Sequence, residues 1–188
     1  MPSVKLLIIS GPSGTGKSAV IKRLRQLRPE ATLALSATTR APRLGERDGA
    51  DYRFVKAGDF DQLLKDGELL EWAVVHGVHR YGTLRRDVEA KLAAGKLVIL
   101  DVDLQGLKSL KNVYPDLSSV YLLPPSADEW KRRLQSRGTE DMGDFQRRMA
   151  TAEEERRELN LYSKTVVNDE LDRACGEILS LVDASAGG

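Results

Sequence analysis

Short apolar runs recur along the chain, separated by stretches whose apolar residues fall three and four positions apart, and this alternation predicts a parallel sheet layered with helices. Leu6 to Ile9 is the first run, continuous enough for a strand buried on both faces. Val20, Ile21, Leu24 and Leu27 then share one face of a helix that ends near Arg28-Pro29. Thr32 to Leu35, Leu97 to Leu100, Ser118 to Leu123 and Thr165 to Val167 supply further strands. Helices are expected over Thr83 to Ala94, Leu104 to Val113 and Leu171 to Val182, with Ala184 to Gly188 as a frayed tail. A different texture lies between the second and third of these strands. Ala41 to Asp51 is rich in Gly, Pro and charge, Tyr52, Phe54 and Val55 alternate, Gly58 to Leu64 suits a short helix, and Leu69 to Val75 forms a strand carrying Glu71 among apolar neighbours. A carboxylate in that setting requires a partner. Ser126 to Asp128 reads as an N-cap region for a helix running to Ser136, and Phe145 to Leu161 as a second, very charged helix. Two helices so polar bury little surface and read as a lid joined through residues 138–144. The expected organisation is a core of residues 1–35, 84–125 and 161–188, an inserted lobe of residues 36–83 and a helical lid of residues 126–160.

Composition narrows the function. At 188 residues the chain suits one α/β domain with small inserted lobes. A net charge of +1 with 30% charged residues gives no overall attraction to nucleic acid or anionic lipid, so any anion site must be local. Cys175 is the only cysteine, which excludes an intrachain disulfide and a cysteine-cluster metal site, and its apolar helix points to core packing. No run of about 18 apolar residues occurs, so no membrane span is expected, and the reducing cytoplasm fits the cysteine usage. Nothing calls for an obligatory protein partner.

The chemistry concentrates at the ends of the predicted strands. Gly11-Pro12-Ser13-Gly14-Thr15-Gly16-Lys17-Ser18 follows the first strand directly and opens the first helix. Its glycines permit positive φ and close backbone approach, so successive N–H groups can turn onto phosphate oxygens. Lys17 adds a point charge for the β- and γ-phosphates of a nucleotide such as ATP, and the Ser18 hydroxyl suits a Mg2+ ligand. Asp101 and Asp103 stand at the exit of another strand, where a second acidic residue meets the Mg2+ or its waters. Ser36, Arg40, Arg43 and Tyr52 supply a hydroxyl, two guanidiniums and a phenol in a short span, which suits a second phosphate group. Two phosphate sites imply phosphoryl transfer between two phosphorylated molecules, a reaction that needs alignment and charge neutralisation more than covalent chemistry.

The stretches GPSGTGKS, SATTRAPRLGERDGADYRFV, ELLEWA, YGT, LDVDLQG, RLQSRGT and VVND occur in the order found in guanylate kinases, and the chain resembles that family over essentially its whole length. The long second stretch is the distinctive one. The resemblance implies a P-loop NTPase-type parallel sheet flanked by helices, with an inserted nucleoside-monophosphate-binding lobe and a helical lid. It implies transfer of the γ-phosphoryl group of MgATP to GMP, and to dGMP. Ser36, Arg40, Arg43, Tyr52 and Tyr81 would hold the GMP phosphate, while Glu71, Thr83 and Asp103 would read guanine. Arg43, Arg137 and Arg148 would join Lys17 in carrying the catalytic charge, with Asn168 near the ATP nucleoside. The base assignment also has a direct rationale: guanine presents N1–H and its 2-amino group side by side to a carboxylate, whereas adenine has an acceptor at N1. The segment WAVVHGVHR before Tyr81 is one residue longer than the family spacing and carries His79-Arg80 in place of Asn-Tyr. His-Gly-x-His is also similar to ribose bisphosphate phosphokinases, but the TTR and GE-x-x-G-x-DY stretches and Glu71 have no purpose there. His76 and His79 lack a third ligand at fitting spacing and are read as loop residues, with no zinc assigned. The rival of a non-catalytic module that binds phosphorylated peptides is disfavoured by the intact Lys17 and the arginines.

Overall fold

The computed structural model describes residues 5–75, 77–135 and 155–186. Strand β1 (Leu6–Ser10) is buried along its whole length and lies at the centre of a five-stranded parallel sheet. It pairs with β7 (Leu97–Asp101) on one side and β8 (Ser118–Leu123) on the other; β2 (Ala31–Leu33) lies beyond β7 and β9 (Lys164–Val167) beyond β8. Continuous apolar runs are needed because both faces are covered. On one face Leu7, Ile9, Ile99, Val120 and Leu122 pack on Val20, Ile21 and Leu24 of helix α1 (Lys17–Leu27) and on Ala174, Cys175 and Ile178 of the terminal helix α6 (Leu171–Ala186). On the other, Leu6, Ile8, Val98, Leu100 and Tyr121 pack on Val88 of α3 (Arg85–Ala93) and on Leu107 and Leu110 of α4 (Leu104–Val113). The chain leaves β1 along one face and β7 along the other, so a crevice opens beyond the carboxyl ends of these neighbours.

A second sheet carries the inserted lobe, in the order β4 (Arg53–Phe54), β3 (Ser36–Thr38), β6 (His79–Leu84), β5 (Leu69–Val75). Helix α2 (Ala57–Lys65) covers one of its faces, with Phe60 fully buried against Ala37, Leu69 and Leu84. Here the structure departs from the sequence expectation. Ser36 to Thr38 is a strand of this second sheet, not the loop at the end of a core strand, and α3 begins at Arg85 because Thr83 and Leu84 still belong to β6. Strand β6 escapes a hydrophobic pattern for a steric reason. A Cβ at Gly82 would stand 2.7 Å from Leu69 Cδ1 and 3.1 Å from the Glu71 carbonyl oxygen, so close packing excludes a side chain there. What remains on the other face is the polar pair Tyr81 and Thr83.

Smaller differences follow at the element ends. Strand β2 spans Ala31–Leu33, α6 continues to Ala186, and Leu159–Leu161 is a single 3-10 turn, not the last turn of an α-helix. Ser126 caps α5 (Ala127–Gln135) as expected, its Oγ accepting the Glu129 N–H at 3.1 Å. The long segment before Tyr81 becomes a tight hairpin: Val75 pairs with His79, and Gly77 takes φ 69. Arg80 pins that hairpin to α2, donating to Asp61 at 2.6 Å and to the Ala57 carbonyl at 2.8 Å with its guanidinium 4.7 Å from the Phe60 ring centre. His76 lies outside the described residues.

Candidate active site

The loop between β1 and α1 is closed by contacts that only glycine permits. A Cβ on Gly11, whose φ is 142, would meet the Leu122 carbonyl oxygen at 2.4 Å. One on Gly16, at φ 93, would meet Asn168 Nδ2 at the same distance. Gly11→Ala is therefore expected to cost about 2 kcal/mol from strain and backbone displacement, read as a fall in Tm of roughly 4–8 °C in a thermal melt. The loop carbonyls are held from outside: Asn168 Nδ2 donates to Thr15 O at 2.7 Å and Trp130 Nε1 of α5 to Ser13 O at 2.8 Å. Thr15 Oγ1 donates to Pro12 O at 2.9 Å. The first-turn N–H groups of α1 have no intrahelical acceptors and face the loop, which adds the positive end of the helix dipole. Lys17 folds over this cradle, donating to Gly11 O at 2.6 Å with its ammonium 4.0 Å from Asp101 Oδ1. Ser18 is exposed on the first turn of α1.

The lobe presents a second polar surface. Register sets Ser36 opposite Thr83 and Thr83 opposite Glu71, with Thr38 opposite Tyr81 one row along, so alternation brings Ser36, Glu71, Thr83 and Tyr81 to one face. Glu71 is 8% exposed, and its Oε1 accepts both the Thr83 hydroxyl at 2.5 Å and the Thr83 N–H at 3.1 Å. The partner that a buried carboxylate requires is thus its cross-strand neighbour. Burial holds the Glu71 carboxyl above the usual carboxylate range, with the two Thr83 bonds opposing the shift.

Arg40 anchors the cluster beside this face. Its Nη1 and Nη2 each meet a Glu46 oxygen at 2.9 Å, Nη1 also donates to Ala41 O at 2.7 Å, and Nε donates to Tyr81 Oη at 3.0 Å. Four of the five guanidinium N–H groups are thereby engaged, and the Tyr81 hydroxyl, accepting from Arg40, keeps its own proton to donate. The guanidinium lies 5.4 Å from the Tyr52 ring centre, and burial pushes the Tyr52 phenol up to about 12, so it remains a donor at neutral pH. Arg43 contributes its backbone N–H to Glu46 at 2.7 Å and leaves its side chain exposed. Asp103 caps α4, its Oδ1 accepting the Gly106 N–H at 2.9 Å. Burial raises the Asp101 carboxyl and the neighbouring Lys17 ammonium opposes that shift.

Several of these contacts had no signal in the sequence. Trp130 carries no expectation from its position in the sequence and Asn168 is placed only at a strand end, yet both brace the glycine loop, and Asn168 is buried, with its backbone carbonyl accepting from Arg133 at 3.3 Å. Glu46 lay inside a recognisable stretch, but nothing in its spacing marks it as the clamp on Arg40. Glu155 accepts the Tyr121 hydroxyl at 2.8 Å, and burial raises its carboxyl above the ordinary range. Arg137 and Arg148 lie outside the described residues, as does the 138–144 link.

A model of the family described as guanylate kinase matches residues 3–185 of the chain. The chain is 47% identical over 178 residues to a guanylate kinase of Nocardia farcinica, covering 94% of this chain and 92% of that relative. A guanylate kinase of Thermobifida fusca is also 47% identical, over 180 residues that cover 96% and 91%. One of Mycobacterium tuberculosis is 45% identical over 185 residues, covering 98% and 89%. Among solved structures, the crystal structure of guanylate kinase from Anaplasma phagocytophilum is similar at a TM-score of 0.80 and 27% identity, covering 100% of this chain and 89% of that one.

Proposed function

The chain belongs to the guanylate kinase family, and from that premise we propose that the loop around Lys17 holds ATP, that the Arg40, Tyr52 and Tyr81 cluster holds the phosphate of GMP, and that Glu71 reads its base. Its activity is transfer of the γ-phosphoryl group of ATP to GMP, giving ADP and GDP. The observation that supports this assignment is the pair of separate cationic centres, Lys17 4.0 Å from Asp101 at the glycine loop and Arg40 held by Glu46 and Tyr81 on the lobe. A phosphate oxygen of GMP forms the new bond to the γ-phosphorus as the bond to the β–γ bridging oxygen breaks, and the negative charge passes to ADP. No proton has to move through the protein. Lys17 follows the γ-phosphoryl group, while the N–H groups of the loop hold the β-phosphate that becomes the leaving group.

The oxygen donors fit Mg2+ carried with ATP. Ser18 offers a hydroxyl on the first turn after the loop, and the Asp101 side chain, 37% exposed and 4.0 Å from the Lys17 ammonium, offers hard carboxylate oxygens that could act through water. Bound there, the ion would neutralise charge on the β- and γ-phosphates. On the same reading, Arg43 turns its exposed guanidinium to the moving phosphoryl group, joined by Arg137 and Arg148 from residues 126–160. Ser36 and Thr83 complete the GMP surface, and Asp103 faces the base from the α4 cap. Asn168 acts on ATP through Thr15, by fixing the loop. No helix among the described residues is long and apolar enough to cross a membrane. Cys175 is buried in the core with its thiol pushed up to about 11 by burial, inert packing that suits a cytoplasmic setting.

Turnover in a coupled assay of ADP formation, with GMP, dGMP, AMP, IMP and ribose bisphosphate offered in turn, tests this reading. GMP should be strongly preferred and dGMP accepted, and a preference for AMP or the ribose bisphosphate would refute the base assignment. A separate expectation concerns Glu46. Glu46→Gln removes the charge that aligns Arg40, so the KM for GMP should rise about tenfold with the KM for ATP unchanged. A fall in KM would mean that Glu46 competes with the phosphate.

A further inference from the structure

Gly106 is the third residue of α4, and its backbone is not among those with positive φ. Glycine within a helix carries a propensity cost relative to alanine, and here no turn or left-handed conformation requires it. Space does. A Cβ built on Gly106 would lie 2.9 Å from Glu71 Oε2, 3.3 Å from Glu71 Cδ and 2.9 Å from Val102 Cβ. Glu71 comes from β5 of the lobe and Gly106 from α4 of the core, so this is a contact between the two units that form the crevice. Oε1 of the same carboxylate is held by both Thr83 donors, so Glu71 has one anchored oxygen, and the other lies over the bare Cα of Gly106.

We propose that Gly106 is a specificity-determining positioning residue for GMP: the missing side chain leaves the room in which the Glu71 carboxylate keeps the plane that accepts N1–H and the 2-amino group of guanine together. The inference rests on Glu71 as the reader of guanine. A methyl group at position 106 pivots the carboxylate about its Thr83 anchor and lifts Oε2 out of that plane. Two adjacent donors on a flat base tolerate such a tilt poorly, because one bond lengthens as the other is kept. Lys17, the loop and the Arg40 cluster are untouched by the change.

The test is a double-mutant cycle of Gly106→Ala and Glu71→Ala, with kcat and KM measured for GMP, for IMP, which lacks the 2-amino group, and for ATP, alongside thermal melts. Gly106→Ala should raise the KM for GMP about tenfold, shrink the GMP-to-IMP ratio of kcat/KM by a similar factor, and move the KM for ATP by less than about twofold. Its Tm should fall by a few degrees, since the Cβ meets Val102 Cβ at 2.9 Å and the gain in helix propensity offsets only part of that strain, and the melts show that the variant is folded where the KM values are measured. In the Glu71→Ala background the same substitution should change the KM for GMP by less than about twofold. Equal effects in both backgrounds would assign the consequence to Val102 and overturn the proposal. So would an unchanged GMP-to-IMP ratio in Gly106→Ala when Glu71→Ala abolishes it. If Glu71→Ala itself leaves that ratio intact, the guanine-reading role of Glu71 fails, and the role of Gly106 fails with it.

Discussion

Lys17→Ala is expected to form GDP about a thousandfold more slowly than the unaltered protein, at saturating ATP and GMP, while melting at the same temperature within a degree or two. The magnitude follows from what the ammonium does. It is drawn onto the loop carbonyls, donating to Gly11 O at 2.6 Å, with Pro12 O at 3.4 Å also in reach. Those bonds are the resting position of a flexible side chain, and the arriving γ-phosphoryl group offers a stronger, charged acceptor. The stability expectation has an equally local reason. The loop is held by Asn168 to Thr15, Trp130 to Ser13 and the glycine contacts with β8, none of which involves Lys17. Removing the ammonium leaves Asp101 without the cation that opposes its burial, but that side chain is 37% exposed, so taking up a proton or a water keeps the cost small. Stopped-time measurement of GDP alongside a thermal melt separates the two effects. Turnover within tenfold of the unaltered protein would remove Lys17 from the reaction, and a large fall in Tm would show that the residue builds the loop.

The core sheet was legible in the sequence because its strands are buried on both faces. Runs such as Leu6 to Ile9 and Leu97 to Leu100 have no polar position to confuse their reading, and the glycine loop that follows Ser10 has few alternatives after a strand and before a helix. The inserted lobe was less legible for the opposite reason. In β6 one face is polar and the packed face includes a bare glycine, so Arg80-Tyr81-Gly82 carries no strand expectation and Thr83 reads as the start of the following helix, although all four lie in an inner strand of the second sheet. The same applies within the site. The Arg40 and Tyr52 pair stands out by residue type, but the clamp by Glu46 and the brace from Trp130 exist only in three dimensions. Asn168 shows how a residue type can hide its contact: its amide is buried and committed to the Thr15 carbonyl of the glycine loop.

Glu71→Gln should lower kcat/KM for GMP about a hundredfold and leave the KM for ATP unchanged. The substitution keeps the shape of the side chain, and its carbonyl oxygen can still accept the Thr83 hydroxyl. Its amide NH2, however, then faces the two donors of guanine, so an attractive charge-assisted pair becomes donor against donor. The pH dependence adds an independent check. Burial raises the Glu71 carboxyl, so it takes up its proton at a higher pH than a free glutamate near 4.3, and the protonated group no longer accepts both guanine donors. The KM for GMP should therefore climb on acidification from above the ordinary carboxylate range, and this step should vanish in Glu71→Gln, while the titration of the GMP phosphate itself, near 6, persists in both. Stability moves the other way. A carboxyl whose folded value is raised binds its proton more tightly when folded, so its contribution is present at low pH and is lost as pH rises through the raised value. The glutamine variant escapes that loss, and its Tm at neutral pH should hold or rise. Equal loss of affinity for GMP and ATP, or an acid step that survives the substitution, would show that the buried carboxylate of β5 does not choose the base.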